Sequence, residues 1–137
     1  MNVLIDTNVI LDALMRRTPF NVLAERLFLA VAEDKLKGSI TASSVTDIYY
    51  LFNKHIHDTV KAREALSNLF SLFEILDVTQ TDCEKALTLP LGDYEDALIV
   101  TCAKRRKAEL IITRNPSDFK NAPITVITPD DFFNNYF

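Results

Sequence analysis

Val3-Leu4-Ile5-Asp6-Thr7-Asn8 is a short apolar run that ends in a carboxylate and two small polar residues. Apolar residues then resume at the spacing of a helix, at Val9, Ile10, Ala13 and Leu14. Open α/β sheets commonly use the carboxyl end of a buried parallel strand to position a functional acid. The pattern therefore predicts a strand and then a helix, with Asp6 at the edge of a sheet. A simpler role for Asp6 or Thr7 is to cap the helix.

Strand and helix patterns alternate along the rest of the chain. Strands are predicted at residues 2–6, 39–42, 74–78, 110–113 and 124–127. Helices are predicted at 7–15, at 19–37 with Gly38 as the stop, from a capping box at Ser44, at 58–73, at 81–89 from a capping box at Thr81, at 94–106, and from Pro129. Strands separated by helices imply a parallel sheet covered on both faces. We expect an α/β fold: one three-layer α/β/α domain over residues 1–137 with a central, mainly parallel sheet of about five strands.

The composition limits the classes of protein. The chain has 137 residues, of which 48% are hydrophobic and 25% charged, as in ordinary globular domains. Its net charge of −4 gives no overall positive field, so nucleic-acid binding would need a local basic patch or metal ions. Cys83 and Cys102 lack the spacing of a zinc or redox pair. Because no signal-peptide or membrane-spanning pattern is found, a cytoplasmic protein is expected.

Acidic residues recur where strands end or helices begin. After Asp6, they are Asp47, the pair Asp93 and Asp96 on one helix face, and Asp118. The helix dipole explains Asp47 and Asp93 well. Asp96, however, shares a stripe with apolar residues, where an unpaired carboxylate is costly. Converging carboxylates need a cation, and hard oxygen ligands select Mg²⁺ or Mn²⁺. The residues therefore predict a metal-dependent phosphodiesterase.

Four motifs together resemble the PIN domain family in order, spacing and chain length, over essentially the whole chain. They are Val3-Leu4-Ile5-Asp6-Thr7-Asn8-Val9-Ile10, Ser43-Ser44-Val45-Thr46-Asp47, Asp93-Tyr94-Glu95-Asp96-Ala97-Leu98-Ile99 and Ile111-Ile112-Thr113-Arg114-Asn115-Pro116-Ser117-Asp118-Phe119. The resemblance implies a nuclease that depends on Mg²⁺ or Mn²⁺ and has a central parallel sheet. Small stand-alone members of this family are mostly VapC-type toxins, which cleave RNA and are blocked by an antitoxin protein.

The resemblance also implies which acids act. Asp6, Asp47 and Asp96 take the places of the catalytic, metal-binding triad, with Asp47 standing where the family most often has Glu. Asp93 and Asn115 are further candidate metal ligands. Asn115 departs from the family, which commonly has an acid at that position, and we expect it to face Asp96 as a weakened metal position. Asp93 or Asp118 is the alternative source of the missing carboxylate.

Neighbouring residues are assigned supporting roles. Asp118 is expected to cap the turn after the fourth strand. Carboxylates and waters are expected to be oriented by Thr7, Asn8 and Thr113. RNA phosphates, or an antitoxin, are expected to contact Arg16, Arg17 and Arg114. A surplus of apolar residues on the helices around residues 49–73 predicts a homodimer, the named residues being Leu66, Leu69, Phe70, Leu72 and Phe73.

Two other functions remain open. Asn115 is the motive for a catalytically weak or inactive PIN module that binds RNA or protein. A phosphatase of the haloacid dehalogenase type needs a second Asp two residues after the first, and that position is Asn8, which argues against it.

Overall fold

Five parallel strands form one sheet in the computed structural model, which describes residues 1–137. The strands are β1 (Asn2–Ile5), β2 (Lys37–Thr41), β3 (Glu74–Leu76), β4 (Leu110–Ile112) and β5 (Thr125–Ile127). Their spatial order is β3-β2-β1-β4-β5. The chain thus extends the sheet first to one side of β1 and then to the other. Open sheets bind ligands at the carboxyl edge of such a switch point, here between β1 and β4.

Seven α-helices cover the two faces of the sheet. They are α1 (Thr7–Leu14), α2 (Asn21–Ala32), α3 (Ala42–Ile56), α4 (Thr59–Leu72), α5 (Gln80–Ala86), α6 (Tyr94–Arg105) and α7 (Pro129–Asn135), and a 3₁₀ helix spans Pro116–Phe119. None of them is both long and apolar enough to cross a membrane.

Strand β1 divides the interior into two cores because its side chains alternate between the faces of the sheet. Val3 and Ile5 belong to the larger core, with residues from α1 to α4 and α7. Leu4 belongs to the smaller core, with the α6 residues Ile99 and Val100. The predicted three-layer α/β/α fold with a parallel five-stranded sheet is therefore confirmed.

The second predicted helix ends earlier than expected. Helix α2 begins at Asn21, not Pro19, and ends at Ala32. Gly38 does not stop it, because Gly38 lies inside β2 and is paired with Val3 of β1. A Cβ at Gly38 would lie 2.7 Å from Cδ1 of Phe73 and 2.9 Å from Cγ2 of Val31. Glycine is therefore needed for close packing rather than for helix termination.

Two predicted capping boxes were placed wrongly. Helix α3 begins at Ala42, and the Ser44 hydroxyl is paired with Thr41 Oγ1 at 2.9 Å instead of capping a helix. The box of α5 uses Thr79 and Asp82, which lie two residues before the predicted pair that began at Thr81. Each side chain of this pair accepts a bond from the other residue's backbone N–H.

Candidate active site

Asp6 lies where β1 ends and α1 begins, and its carboxylate is held at both oxygens. The backbone N–H of Thr7 donates to Oδ1 at 2.8 Å, and the Thr113 hydroxyl donates to Oδ2 at 2.8 Å. Asp6 is therefore the N-cap of α1, as the simpler interpretation held, and it also faces the end of β4. Burial raises the pKa of Asp6, although the bonds from Thr113 and Thr7 oppose this.

The start of α6 brings a second acid to the same place. Asp93 is the N-cap and accepts a hydrogen bond from the backbone N–H of Asp96 at 3.1 Å. Asp96 itself lines the cavity that Asp6 lines. Burial, followed by the charges of Asp6, Asp93, Asp118 and Glu95, raises the pKa of Asp96 to about 7. Like charges this close favour the protonated form.

Five acidic side chains line one open cavity of about 380 Å³, which we call the acidic cavity: Asp6, Asp93, Glu95, Asp96 and Asp118. Asp47 does not line it. Its carboxyl group instead lies within hydrogen-bonding reach of Glu95, whose pKa is raised by burial and then by Asp47. The sequence reasoning missed Glu95, although it shares the first turn of α6 with Asp96.

Of the two candidate residues after β4, Asp118 lines the acidic cavity and Asn115 does not. Asn115 lines a neighbouring cavity with Phe20 and Asp130 and does not line the acidic cavity, where it was expected to face Asp96 as a metal ligand. Asp118 does line the acidic cavity, and it lies inside a 3₁₀ helix whose N-cap is Asn115, so it does not cap this turn as expected. The 3₁₀ helix, over Pro116–Phe119, begins between the two residues.

The supporting polar residues surround Asp6. The Asn8 side chain donates to the Thr113 hydroxyl at 3.4 Å, and the Asn115 backbone N–H donates to the same hydroxyl at 3.2 Å. Thr7 and Asn8 both line the acidic cavity. The Thr7 hydroxyl is buried without a hydrogen-bond partner in the protein.

Two of the three candidate arginines are held by one buried acid. Asp12, only 1% exposed, accepts hydrogen bonds from Nε and Nη2 of Arg114 at 2.6 and 3.2 Å. Arg17 Nε lies 2.8 Å from the same carboxylate as an ion pair, and Arg17 lines the acidic cavity. Arg16 is exposed after α1 and does not line this cavity. The sequence reasoning missed Asp12, although it lies among the buried residues of α1.

The donor atoms in the acidic cavity fit a divalent cation. All are hard oxygens, and the unpaired Thr7 hydroxyl can bind a water of the cation's hydration shell. Burial and then the charges of neighbouring acids raise the pKa of Asp96, and a cation would relieve the second of these effects. No three acidic, histidine or cysteine side chains already stand close enough together to hold a metal ion. The fit therefore rests on the chemistry of the donors rather than on a preformed coordination shell.

Comparison with known proteins gives a consistent result. A family model described as PIN domain matches residues 2–117. Ribonuclease VapC1 of Aquifex aeolicus is 31% identical over 138 aligned positions, which cover 95% of this chain and 92% of that protein.

Solved structures of toxin–antitoxin complexes have a similar fold. A toxin–antitoxin complex from Klebsiella pneumoniae contains a chain that is 26% identical, with a TM-score of 0.68. VapBC2 from Rickettsia felis, bound to a DNA fragment from its promoter, contains a chain that is 19% identical, with a TM-score of 0.68. Each match covers 93% of this chain and 97% of the other.

Proposed function

The chain belongs to the PIN domain family, and from this premise we propose that it is a metal-dependent endoribonuclease and the toxin of a toxin–antitoxin pair. The observation that carries the proposal is the acidic cavity at the switch point between β1 and β4. Five acidic side chains line it, and the pKa of Asp96 is raised to about 7. The names of the relatives in Aquifex aeolicus and Klebsiella pneumoniae support the same function.

Asp6, Asp96 and Asp118 would hold Mg²⁺ or Mn²⁺, with Asp93 and Glu95 beside them. When bound, the cation would lower the pKa of a water molecule and offset negative charge on a phosphate. Asp47 contributes from a greater distance, through its contact with Glu95.

The chain's own residues prepare the site for this chemistry. Thr113 and the Thr7 N–H fix the orientation of the Asp6 carboxylate, so that it needs no reorganisation when substrate arrives. In the metal-free protein the pKa of Asp96 is raised to about 7 by burial and neighbouring acids, so a bound cation would favour its carboxylate form. Arg17 brings a positive charge to the wall of the acidic cavity, where it can attract an RNA phosphate.

This arrangement removes the reason for the alternative function, a catalytically weak or inactive PIN module. The reason was that Asn115 has an amide at a position where the family commonly has an acid. Because Asp118 lines the acidic cavity and Asn115 does not, the number of carboxylates available there is not reduced.

An antitoxin partner follows from the structural relatives, which include toxin–antitoxin complexes. The antitoxin would block the acidic cavity and prevent RNA from entering. A homodimer is also part of the proposal, because Tyr50, Val60 and Phe70 expose apolar surface on the neighbouring helices α3 and α4.

The test is cleavage of labelled RNA by the purified protein in Mg²⁺, in Mn²⁺ and in EDTA. We expect cleavage only with metal, and a loss of at least a hundredfold in Asp6→Asn and Asp96→Asn, on the order of removing a main electrostatic group from an active site. Glu64→Gln, an exposed acid on α4, is the matched control and should retain full activity. Equal cleavage in EDTA, or full activity of Asp6→Asn, would contradict the proposal.

A further inference from the structure

We propose that a second cavity, beside the acidic cavity, is a subsite for one nucleobase of the RNA next to the cleaved phosphate. This cavity, the Phe20 cavity, measures about 530 Å³ and is lined by Pro19, Phe20, Leu23, Arg114 and Asn115 together with residues 128–130. The identity of the ligand rests on the proposed ribonuclease function. The volume lies in the range of sites that bind small organic groups.

A rigid aromatic and cationic platform forms part of its wall. The guanidinium carbon of Arg114 lies 4.3 Å from the centroid of the Phe20 ring. The edge of the same guanidinium is bound through two nitrogens to Asp12, which is buried and also paired with Arg17. Arg114 is therefore fixed at its edge and on one face. Phe20 nevertheless remains 48% exposed, which leaves ring surface on which a base can stack.

The chain after β4 links the Phe20 cavity to the acidic cavity, although the two cavities share no lining residue. Thr113 donates to the Asp6 carboxylate, and the next two residues, Arg114 and Asn115, line the Phe20 cavity. The Asn115 N–H also donates to Thr113 Oγ1 at 3.2 Å. A nucleotide whose phosphate lies at Asp6 therefore has this cavity within reach of an adjacent base.

The polar rim can discriminate among bases. Asn115 carries an amide, which donates and accepts, and Asp130 carries a carboxylate, which accepts. Such a pair suits a base edge that has an exocyclic amino group beside a ring nitrogen, as in adenine or cytosine. Aromatic stacking supplies affinity for any base, and the rim supplies the preference. An aromatic ring beside a hydrogen-bonding rim fits a nucleobase better than an aliphatic side chain.

The first experiment measures cleavage of a defined RNA and of the same RNA with one abasic nucleotide at each position around the cleaved bond. At one position we expect the abasic change to slow wild type on the order of tenfold, mainly through KM. The Phe20→Ala protein should cleave intact RNA more slowly by a similar factor, and the abasic change should not slow its cleavage further. Phe20→Tyr should restore the wild-type pattern. Leu87→Ala, at an exposed apolar residue directly after α5, is the control and should behave as wild type.

Two outcomes would overturn the subsite. In one, the Phe20→Ala protein cleaves intact RNA at the wild-type rate, or each abasic change slows its cleavage by the same factor as in wild type. In the other, Phe20→Ala leaves cleavage unchanged and abolishes binding of the antitoxin, which would make the Phe20 cavity a protein-binding pocket.

A binding experiment separates this inference from the proposed function. RNA that carries 2-aminopurine at the mapped position, or at each position in turn if no cleavage occurs, is titrated with Asp96→Asn protein, and stacking is followed as quenching of fluorescence. Quenching that Phe20→Ala removes from the Asp96→Asn background supports the subsite even if wild type cleaves no RNA. Cleavage by wild type without quenching in either protein would overturn the subsite and leave the ribonuclease intact.

Discussion

Asp96 carries a carboxylate that burial and four neighbouring acids keep partly protonated at neutral pH. Its pKa in the folded protein is about 7, whereas an aspartate in an unfolded chain titrates near 3.9. Between these values the folded state holds a proton that the unfolded state has lost. The free energy of unfolding therefore falls as pH rises through this window, and it levels off above pH 7.

We expect the metal-free protein to melt at a higher temperature at pH 5 than at pH 8. Between pH 5 and pH 8 the contribution of Asp96 is about 1 kcal/mol, roughly half of what this part of the shift implies, because the side chain is partly solvated. Asp82, whose pKa is lowered to about 2 by its bonds from Arg105 and Thr79 despite burial, stabilises the fold above pH 4 and does not alter this window.

The measurement is thermal unfolding in EDTA from pH 4 to pH 9 for wild type, Asp96→Asn and the exposed control Glu64→Gln. Asp96→Asn should be more stable than wild type at pH 8 and should depend less on pH. A lower melting temperature for Asp96→Asn at every pH would mean that the carboxylate makes a structural bond instead.

Asp118 and Asn115 give a second test at the scale of single residues. Asp118 lines the acidic cavity and its charge raises the pKa of both Asp6 and Asp96, whereas Asn115 lines the Phe20 cavity. We therefore expect Asp118→Asn to raise the Mn²⁺ concentration needed for half-maximal cleavage by about tenfold, as loss of one charged ligand or its close neighbour does. Asn115→Asp should leave this concentration unchanged. The reverse result would return Asn115 to the metal site.

The sequence predicted the acids at strand ends better than the contacts between distant side chains. Asp6 and Asp96 could be chosen because one ends an apolar strand and the other interrupts an apolar helix face. The ion pair between Asp12 and Arg114 could not be predicted, because the two residues are 102 positions apart and no local sequence pattern links them. The cavity that Asn115 lines could not be predicted either, because the periodicity of the sequence does not specify the direction of a 3₁₀ turn.

Strand β2 shows how packing between elements fixes one residue. Gly38 lies under Phe73 and Val31, and an added Cβ would come within 2.7 to 2.9 Å of their atoms. We expect Gly38→Ala to lower the free energy of unfolding by about 1–3 kcal/mol, since overpacking of a filled core costs that much. Gly92→Ala is the control, because no atom lies within 4 Å of its added Cβ. Chemical denaturation of both variants measures the difference, and equal stability would show that Phe73 moves freely aside.

The same region explains why the predicted second helix was too long. Leu36 is buried and continues the apolar pattern of α2, so the sequence gives no sign of an end before Gly38. The chain nevertheless leaves the helix after Ala32, and Asp34 adopts a φ of 57°. Residues 33–36 form the turn into β2, and Leu36 joins the core from that turn. The apolar pattern predicts that Leu36 is buried, but it does not predict whether Leu36 lies in a helix or in a turn.

For the whole molecule, the order of the strands explains how distant motifs meet. Because β1 lies at the centre, with β2 on one side and β4 on the other, Asp6, Thr113 and the start of α6 come to one edge. The alternating pattern was enough to predict a parallel sheet and the convergence of its acids. It was not enough to predict which surface would remain uncovered, because that depends on how the helices pack together.

The homodimer is the prediction that belongs to this largest scale. Of the apolar residues first named for it, Leu69 and Phe73 are buried in the core, and Leu66 and Leu72 pack against it. Phe70 remains 49% exposed, on a helix that packs beside α3, where Tyr50 is 67% exposed. Association would remove this apolar surface from water.

We expect light scattering at tens of micromolar to give about twice the monomer mass of 15.5 kDa. Phe70→Ser and Tyr50→Ser together should shift the protein to the monomer, because each removes an apolar anchor from the contact. Leu87→Ser is the matched control: Leu87 is 76% exposed directly after α5, a helix that packs with α6 on the other side of the sheet. A monomeric wild type would contradict the homodimer, and a dimer that survives the double change would show that α3 and α4 do not form its interface.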